Sequence, residues 1–596
     1  VKRSRFALNR FKIKLKIKTK KGFLKQSFRG FGVFVWVILS SAAFGYAAAP
    51  QDARDNPGAE QARFEEAFDL EEKTRQAAEL APAEPIQSES PELVRPKSDV
   101  TFELKKIVIS GNDSIPAEEL ESLSSGFLSK TAHYEDLQTI ARSIKQYYRE
   151  QGFIAAYVYL PPQNITSGSV EIAVIEGVIG KIEVKGNKWF SEKLLKRMLN
   201  ISAGSVLFYD NLRGALNFLN KNRDIKAKAV LKPGQEAKTT DLEVNVTDRF
   251  PLHVSTDVNN LGTDNTGKTR WGIGLTHTNV LGLMDEASGR FQIGRHSWSV
   301  GANYTLPVSS YKTALTFSYN RSSVDLGGPF KALDVEGQAT TYGLLITQPV
   351  IDKQHWSAGV NTGFDWKSIQ NTVAGSKSGV DELRIFKLGL NLEQIDRWGR
   401  TIFPQNFHFG FSNFLGSSDH QDAGASRAGT GGQFFIYRSN FLRYQKLPKE
   451  MILAVRGSLQ LTPDNLPPSE QLSLGGAFSV RGYQEGTYLS DSGAFLAHEV
   501  YIPTYFFPAD WKLPYASKPL RKQIMGVAFY DFGGGALRGP QTGEQENRFL
   551  SGVGGGVRIE LIDRVYGRFQ WGAATASAAN DSSKSAFYFG VSSELF

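Results

Sequence analysis

Cysteine is absent from all 596 residues. That excludes disulfides, thiol nucleophiles and zinc–thiolate sites, so any fold must rest on burial and hydrogen bonding alone. Histidine occurs only eight times, scattered singly and without metal-ligand spacing. No Gly-x-Ser-x-Gly elbow, Walker-type phosphate loop or other catalytic constellation is present. The sequence therefore predicts no enzyme, no cofactor, no metal and no use of nucleotide. No apolar run is long enough for a mature membrane-spanning helix. Acid is missing from residues 1–30, which hold twelve Lys or Arg. The net charge of +9 is thus a local property, because removing that segment leaves 9 − 12 = −3.

A basic tail for nucleic acid is one reading of that segment, but the residues directly after it argue otherwise. Phe31 to Phe44 is uncharged and apolar, and Gly45-Tyr46-Ala47-Ala48-Ala49 supplies small residues behind it. Base, short apolar core and small-residue exit make a secretory signal over 1–47, with cleavage after Ala47. An exported protein is expected, with no nucleic-acid partner. From 56 to 80 the chain predicts a helix, with Asn56 as cap, Pro57 in the first turn and Ala59–Leu80 free of Gly and Pro. Phe64, Ala67 and Phe68 give it only a narrow apolar stripe. Pro82, Pro85, Pro91 and Pro96 then mark 81–99 as an extended linker.

The next stretch is built twice. Gly111-Asn112 returns as Gly186-Asn187, and Tyr134 and Leu137 return as Tyr209 and Leu212, each 75 residues later. Ile107 and Ile109 mark a first strand, answered by Ile182 and Val184. A first helix surrounds Leu120 and Leu195. A second buries Tyr134, Leu137, Ala141, Ile144 and Tyr148, answered by Tyr209, Leu212, Leu216 and Leu219. Two closing strands complete each unit, around Val158 and 170–174, then around Ala229 and 242–246. The spacing predicts two β-α-α-β-β modules over 100–176 and 177–248, each a three-stranded sheet carrying two helices. Their open edges expose backbone donors and acceptors that an extended polypeptide can pair with.

From 249 to 596 the period is two. Leu315, Phe317 and Tyr319 alternate with Thr316, Ser318 and Asn320; Phe407, Phe409 and Phe411 alternate with Asn406, His408 and Gly410. Val565, Phe569 and Trp571 alternate with Arg564, Arg568 and Gln570. A polar face with Arg, Glu and Gln in strand after strand suits a wet lumen with lipid outside. About sixteen strands predict a barrel wide enough to hold water. A long connection, Leu461 to Gly493, contains Val480-Arg481-Gly482-Tyr483. Downstream, the parity of Ala528, Tyr530 and Phe532 turns Phe529 and Asp531 to the lumen, where a loop arginine can form a bidentate pair.

With these residues in view, the chain resembles the TpsB transporters of two-partner secretion, the haemolysin and filamentous-adhesin transporter family. The resemblance covers essentially the whole mature chain. Val480-Arg481-Gly482-Tyr483 alone indicates the wider superfamily of outer-membrane assembly and translocation barrels. Two polypeptide-transport-associated (POTRA) modules, Tyr159-Leu160-Pro161-Pro162-Gln163 and Val174-Ile175-Glu176-Gly177 make it specific. The resemblance implies a mainly β fold: a sixteen-stranded transmembrane barrel in the outer membrane, two periplasmic POTRA modules and an N-terminal plug helix. It implies an unfolded cognate exoprotein as partner, outer-membrane lipid around the barrel, and barrel-assembly machinery for insertion.

Within that pattern Arg481 would pair with Asp531 at the tip of an inward loop, Gly482 would permit the turn, and Tyr483 would pack beside Phe529. Tyr159, Pro161, Pro162 and Gln163 would contribute partner recognition by the first module, since Pro161-Pro162-Gln163 has no counterpart in the second, where Lys228-Ala229-Val230 occupies the matching strand. Phe596 would carry the membrane-assembly signal, with one departure: its same-parity neighbours are Ser592 and Glu594, whereas Phe587, Phe589, Val591 and Leu595 form the apolar face. The competing reading is an assembly factor that inserts other barrels. It would normally carry more modules and no plug.

Overall fold

A computed structural model describes residues 55–65, 87–88, 101–163, 165, 168–236, 239–309, 312–353, 355–562, 564–576 and 584–595. All of them lie in one compact unit, Tyr46–Phe596. The expected signal over 1–47, the helix beyond residue 65, most of the linker and Phe596 fall outside these residues.

The first module contains β2 (Phe102–Leu104), β3 (Lys106–Ser110), α2 (Ala117–Ser122), β4 (Lys130–Ala132), α3 (Tyr134–Glu150), β5 (Tyr157–Tyr159) and β6 (Ser169–Ile175); α1 (57–65) and β1 (Gln87–Ser88) precede it. Its three-stranded sheet runs β3-β6-β5, with β3 parallel and β5 antiparallel to β6. Helical spacing in α3 buries Leu137, Ile140, Ala141, Ile144 and Tyr148 against Ile107, Ile109, Val170 and Ile172. The second module repeats the plan with β7 (Val178–Lys185), α4 (Glu192–Leu199), α5 (Tyr209–Lys221), β8 (Ile225–Pro233) and β9 (Thr239–Asp248). The Gly-Asn echo has a physical cause. Gly111 and Gly186 sit at φ of 77° and 88°, where a Cβ would strike the carbonyls of Val174 and Val246. Asn112 and Asn187 each donate from Nδ2 to the carbonyl three residues on, at 2.9 and 2.8 Å.

The second sheet departs from the expected three strands: its order is β1-β8-β9-β7. The extra strand comes from the linker, with Gln87 opposite Val230 and Ser88 opposite Leu231 in parallel register. An edge strand offers unpaired backbone groups, and the nearest extended segment of the same chain takes them. The linker is therefore more than a spacer.

Sixteen antiparallel strands, from Leu252–Asn259 to Ser585–Glu594, close into a barrel in sequential order. Trp271, Ile273 and Leu275 point outward from one strand, and Tyr342, Leu344 and Ile346 from another. Arg270, Asp365 and Gln570 face inward and are buried. The alternation separates lipid from lumen, as the period of two requires. The seam between first and last strands is short, running only from Ser255 opposite Glu594 to Asn259 opposite Gly590. At its periplasmic end the second module docks. Arg223 pairs with Glu594, and His253 lies 2.8 Å from Asp224 and 2.9 Å from Glu594. Asp224 also accepts from Thr278 Oγ1 at 2.5 Å. Glu594 faces inward to make this knot, which explains its polar position in the apolar end of the chain.

Candidate functional site

The connection 462–491 does not stay outside the barrel. It forms a small hairpin, Leu472–Leu474 with Tyr488–Ser490, and sends its tip against the inner wall. There Arg481 and Asp531 meet, both 0% exposed. Arg481 Nε and Nη2 donate to the two carboxylate oxygens of Asp531 at 2.6 and 2.7 Å, and its backbone N–H adds a third bond at 3.0 Å. The fork geometry of the guanidinium fits this side-on pairing, which a lysine cannot reproduce. Nη1 donates to Glu499 at 2.5 Å and to Gln570 at 3.3 Å. The guanidinium carbon lies 3.6 Å from the Phe529 ring centre. Two carboxylates thus surround one guanidinium in a site shielded from water.

Gly482 comes next in the chain at φ 105°, where a Cβ would lie 2.7 Å from Ala574 N. Gly552 and Gly572, on the facing strands Asn547–Leu561 and Val565–Ala574, let the loop backbone come this close: a Cβ on Gly552 would collide with the Arg481 carbonyl. Tyr588 locks the tip further, accepting from Gly482 N at 3.0 Å and donating to the Tyr483 carbonyl at 2.5 Å. One expectation is corrected here. Tyr483 does not pack beside Phe529. It joins Val480, Leu472, Leu474 and Tyr488, and its hydroxyl reaches the carbonyls of Ser551 and Ala576 at 3.0 and 2.7 Å. Phe529 belongs to a separate cluster with Tyr444 and Tyr501. The positive-φ glycine reverses the chain, so the side chains on either side of it diverge.

The helix α1 lies inside the barrel. Asn56 caps it through Gly58 N–H at 2.8 Å. Asp55 accepts from Thr263 and Asn265 at 2.7 and 2.6 Å, Glu60 pairs with Arg270, and Gln61 donates to Thr341 at 2.9 Å. Its buried apolar side chains are Pro57, Ala59 and Phe64. Its hold on the wall is therefore mainly polar. Between it and the last strands remains a cavity of about 330 Å³, bordered by Arg63, Glu485, Glu499 and Arg568.

A second buried hub closes the outer end, and nothing in the sequence pattern announced it. Asp491, at the base of the inward loop, accepts from Arg427 Nη1 at 3.3 Å, Leu466 N at 3.1 Å, Gln471 Nε2 at 2.9 Å and Arg538 N at 2.7 Å. Arg427 also reaches Glu544 at 3.2 Å. Three outer connections are thereby tied through one carboxylate. Asp491→Ala orphans several buried donors, at about 1–3 kcal/mol each. Protease added to intact cells is expected to cut residues 411–433 about tenfold faster or more; an unchanged cutting rate would assign the closure to other contacts.

In the first module, Tyr159 lies on β5, which among the described residues pairs with β6 on one side only. Pro161 and Pro162 end that strand because they lack N–H groups. The Gln163 side chain then completes the ladder, donating to the Glu171 carbonyl at 2.7 Å and accepting from Glu171 N at 2.6 Å. Glu176 is buried, accepting from Ser114 N at 2.8 Å and from Tyr148 Oη at 3.0 Å. Burial and this carboxylate hold the Tyr148 phenol well above its usual range, so it stays a donor.

Two periplasmic β-α-α-β-β modules on a barrel with an inward, arginine-tipped loop define a polypeptide-transporting outer-membrane protein. Residues 238–559 match the family described as haemolysin secretion/activation protein ShlB/FhaC/HecB, and residues 102–177 and 177–249 match POTRA domains, the first of the ShlB type. The chain belongs to that family. It is an outer-membrane transporter of two-partner secretion, with its POTRA domains in the periplasm and a cognate secreted exoprotein as the partner the family implies. Over 489 residues it is 24% identical to the heme/hemopexin transporter protein HuxB of Haemophilus influenzae (strain ATCC 51907 / DSM 11121 / KW20 / Rd), covering 79% of this chain and 82% of that one. It is 23% identical to the outer membrane transporter CdiB of Escherichia coli O6:K15:H31 (strain 536 / UPEC), covering 74% and 76%. The solved structure of CdiB from Escherichia coli superposes with a TM-score of 0.73 at 20% identity, over 92% of this chain and all of that chain.

Proposed function

We propose that the exoprotein is taken up as an extended chain by the POTRA sheet edges and passes through a lumen that α1 obstructs at rest, past the Arg481 loop, whose docked position secretion requires. The chain supplies no catalytic step of its own, lipid surrounds its outward aromatic and aliphatic face, and barrel-assembly machinery inserts it by reading a signal that includes Phe596. In the first module the β5 edge, with Tyr159 at its end, is the recognition surface. Pro161, Pro162 and Gln163 shape the end of that edge.

The supporting observation is the pairing of β1 with β8. A sheet edge that binds a passing segment of its own linker has the geometry to bind another extended chain, and the linker competes for it. A two-residue ladder contributes only about 0.5–1.5 kcal/mol per hydrogen bond, so the competition is mild and reversible. Substituting both Gln87→Pro and Ser88→Pro removes the backbone donors and is expected to tighten exoprotein binding to the detergent-solubilised transporter by up to about tenfold. Fluorescence titration with the exoprotein's amino-terminal domain checks this. Unchanged affinity would show that β8 is not part of the uptake surface.

A further inference from the structure

Periplasmic turns of outer-membrane barrels are short, and most here obey: strands Ser376–Asp396 and Gly399–Gly410 are joined by two residues, 397–398. The connection from Pro503 to Ile524 breaks the rule with twenty, 504–523. It is folded rather than slack. Thr504 N donates to the Arg521 carbonyl at 3.1 Å and Leu520 N to the Trp511 carbonyl at 2.8 Å. Its base is clamped to both neighbours: Tyr505 Oη donates to the Lys449 carbonyl at 2.6 Å, Lys522 pairs with Glu450 at 2.8 Å, and Lys518 with Glu560 at 2.6 Å.

The tip of this rigid turn is apolar and uncovered. Phe506 is 79% exposed, Trp511 50% and Tyr515 99%. Phe507 links the first two, with ring centres 4.4 Å from Phe506 and 5.5 Å from Trp511. The exposed Lys512 stands beside them. An exposed aromatic cluster on a clamped support is costly in water and marks a contact surface. Its position says with what. Ile502 and Tyr530 lie on the lipid-facing side of the two joined strands, and Phe506 follows Ile502 four residues on, in a turn that Phe507 N closes onto the Thr504 carbonyl at 3.0 Å. Trp356 and Trp398 are exposed at the same end of the barrel on other hairpins. Aromatic side chains with an adjacent lysine, continuous with a lipid-facing band, suit the headgroup region of a bilayer.

We propose that residues 504–523 form an interfacial foot whose tip, Phe506, Trp511 and Tyr515, beds into the phospholipid headgroup layer of the inner leaflet. The strands it joins carry Glu499 and Asp531, so the foot anchors to the membrane the hairpin that holds the Arg481 loop. Absence of cysteine makes the test direct. Nitroxides placed through Phe506→Cys, Trp511→Cys and, as an aqueous control, Gly204→Cys are compared in full-length protein reconstituted in phosphatidylethanolamine/phosphatidylglycerol bilayers. Heat-modifiable migration confirms that each barrel is folded. The ratio of oxygen to nickel-chelate accessibility is expected to be several-fold higher at 506 and 511 than at 204. Equal ratios at all three sites would overturn the proposal. So would nickel protection that develops only when the exoprotein is added, which would assign the tip to a polypeptide instead.

Discussion

Arg481→Ala is expected to leave a folded barrel in the outer membrane while exoprotein in the medium falls on the order of tenfold or more at matched abundance. The pair is dehydrated, so removing the guanidinium leaves Asp531 buried with, among the described residues, only the loop N–H as partner, at a cost of about 3–5 kcal/mol. Glu499 is less affected, because Tyr501 Oη still donates to it at 2.5 Å and Arg456 lies 3.9 Å away. The docked loop therefore loses on the order of a hundredfold or more in population relative to undocked forms. Barrel closure depends on sixteen strand pairings that do not involve this side chain, so assembly persists. Arg481→Lys keeps the charge but forfeits the fork and most of the contact with Phe529, and is expected to fall between wild type and Ala. Quantitative immunoblotting of the medium, with hydrogen exchange over residues 472–490, separates the outcomes. Wild-type secretion by Arg481→Ala would sink the proposed role. A secretion defect with the loop still protected would instead point to direct contact between Arg481 and the exoprotein.

How much of this was legible in the sequence depends on which force wrote it. Barrel strands face two different solvents, so alternation is enforced residue by residue; that is why Ala528, Tyr530 and Phe532 were enough to turn Asp531 inward. Strand Ser492–Pro503 carries a weaker signal, because apolar residues lie on both of its faces: Phe495 packs inward with Leu472, Leu474 and Val480 of the loop, whereas Leu496 stands opposite Phe532 on the outer face. Glu499 was therefore not distinguishable as the second carboxylate. Gly552 and Gly572 read as ordinary small residues of a glycine-rich strand, and only the approach of the Arg481 backbone gives them a reason. Asp491 and Arg427 lie 64 residues apart on different outer connections, and loops have no period to reveal such a meeting. The linker strand was hidden for another reason: two residues of parallel pairing need no alternation at all. The paired modules were the most transparent part, since Gly111 and Gly186 answer the same steric demand and Asn112 and Asn187 make the same hydrogen bond.

Covalently fixing α1 in the lumen is expected to abolish secretion outright. A Cβ on Gly337 would lie 3.1 Å from the Pro57 Cβ, a few tenths of an ångström short of the roughly 3.5–4.5 Å that a disulfide spans. Pro57→Cys with Gly337→Cys removes the proline ring from this crowded contact and needs only a small backbone shift to close the bond. The native hold is of a different kind. Glu60–Arg270, Asp55 with Thr263 and Asn265, and Gln61–Thr341 are contacts that water can replace once the lumen floods, and burial of the Phe64 side chain contributes only about 1.5–3 kcal/mol. Such a helix can leave when an incoming chain competes for the same wall, whereas a disulfide to strand Val335–Asp352 cannot. Secretion by the double variant should thus be lost under oxidising conditions and return when a reductant is added to the cells, with outer-membrane abundance unchanged throughout. Gly337→Cys alone crowds Pro57 without tethering it, and should loosen the helix and raise ion conductance in planar bilayers. Normal secretion by a fully oxidised double variant would mean that helix and exoprotein share the lumen, and the obstructing role assigned to α1 would fall.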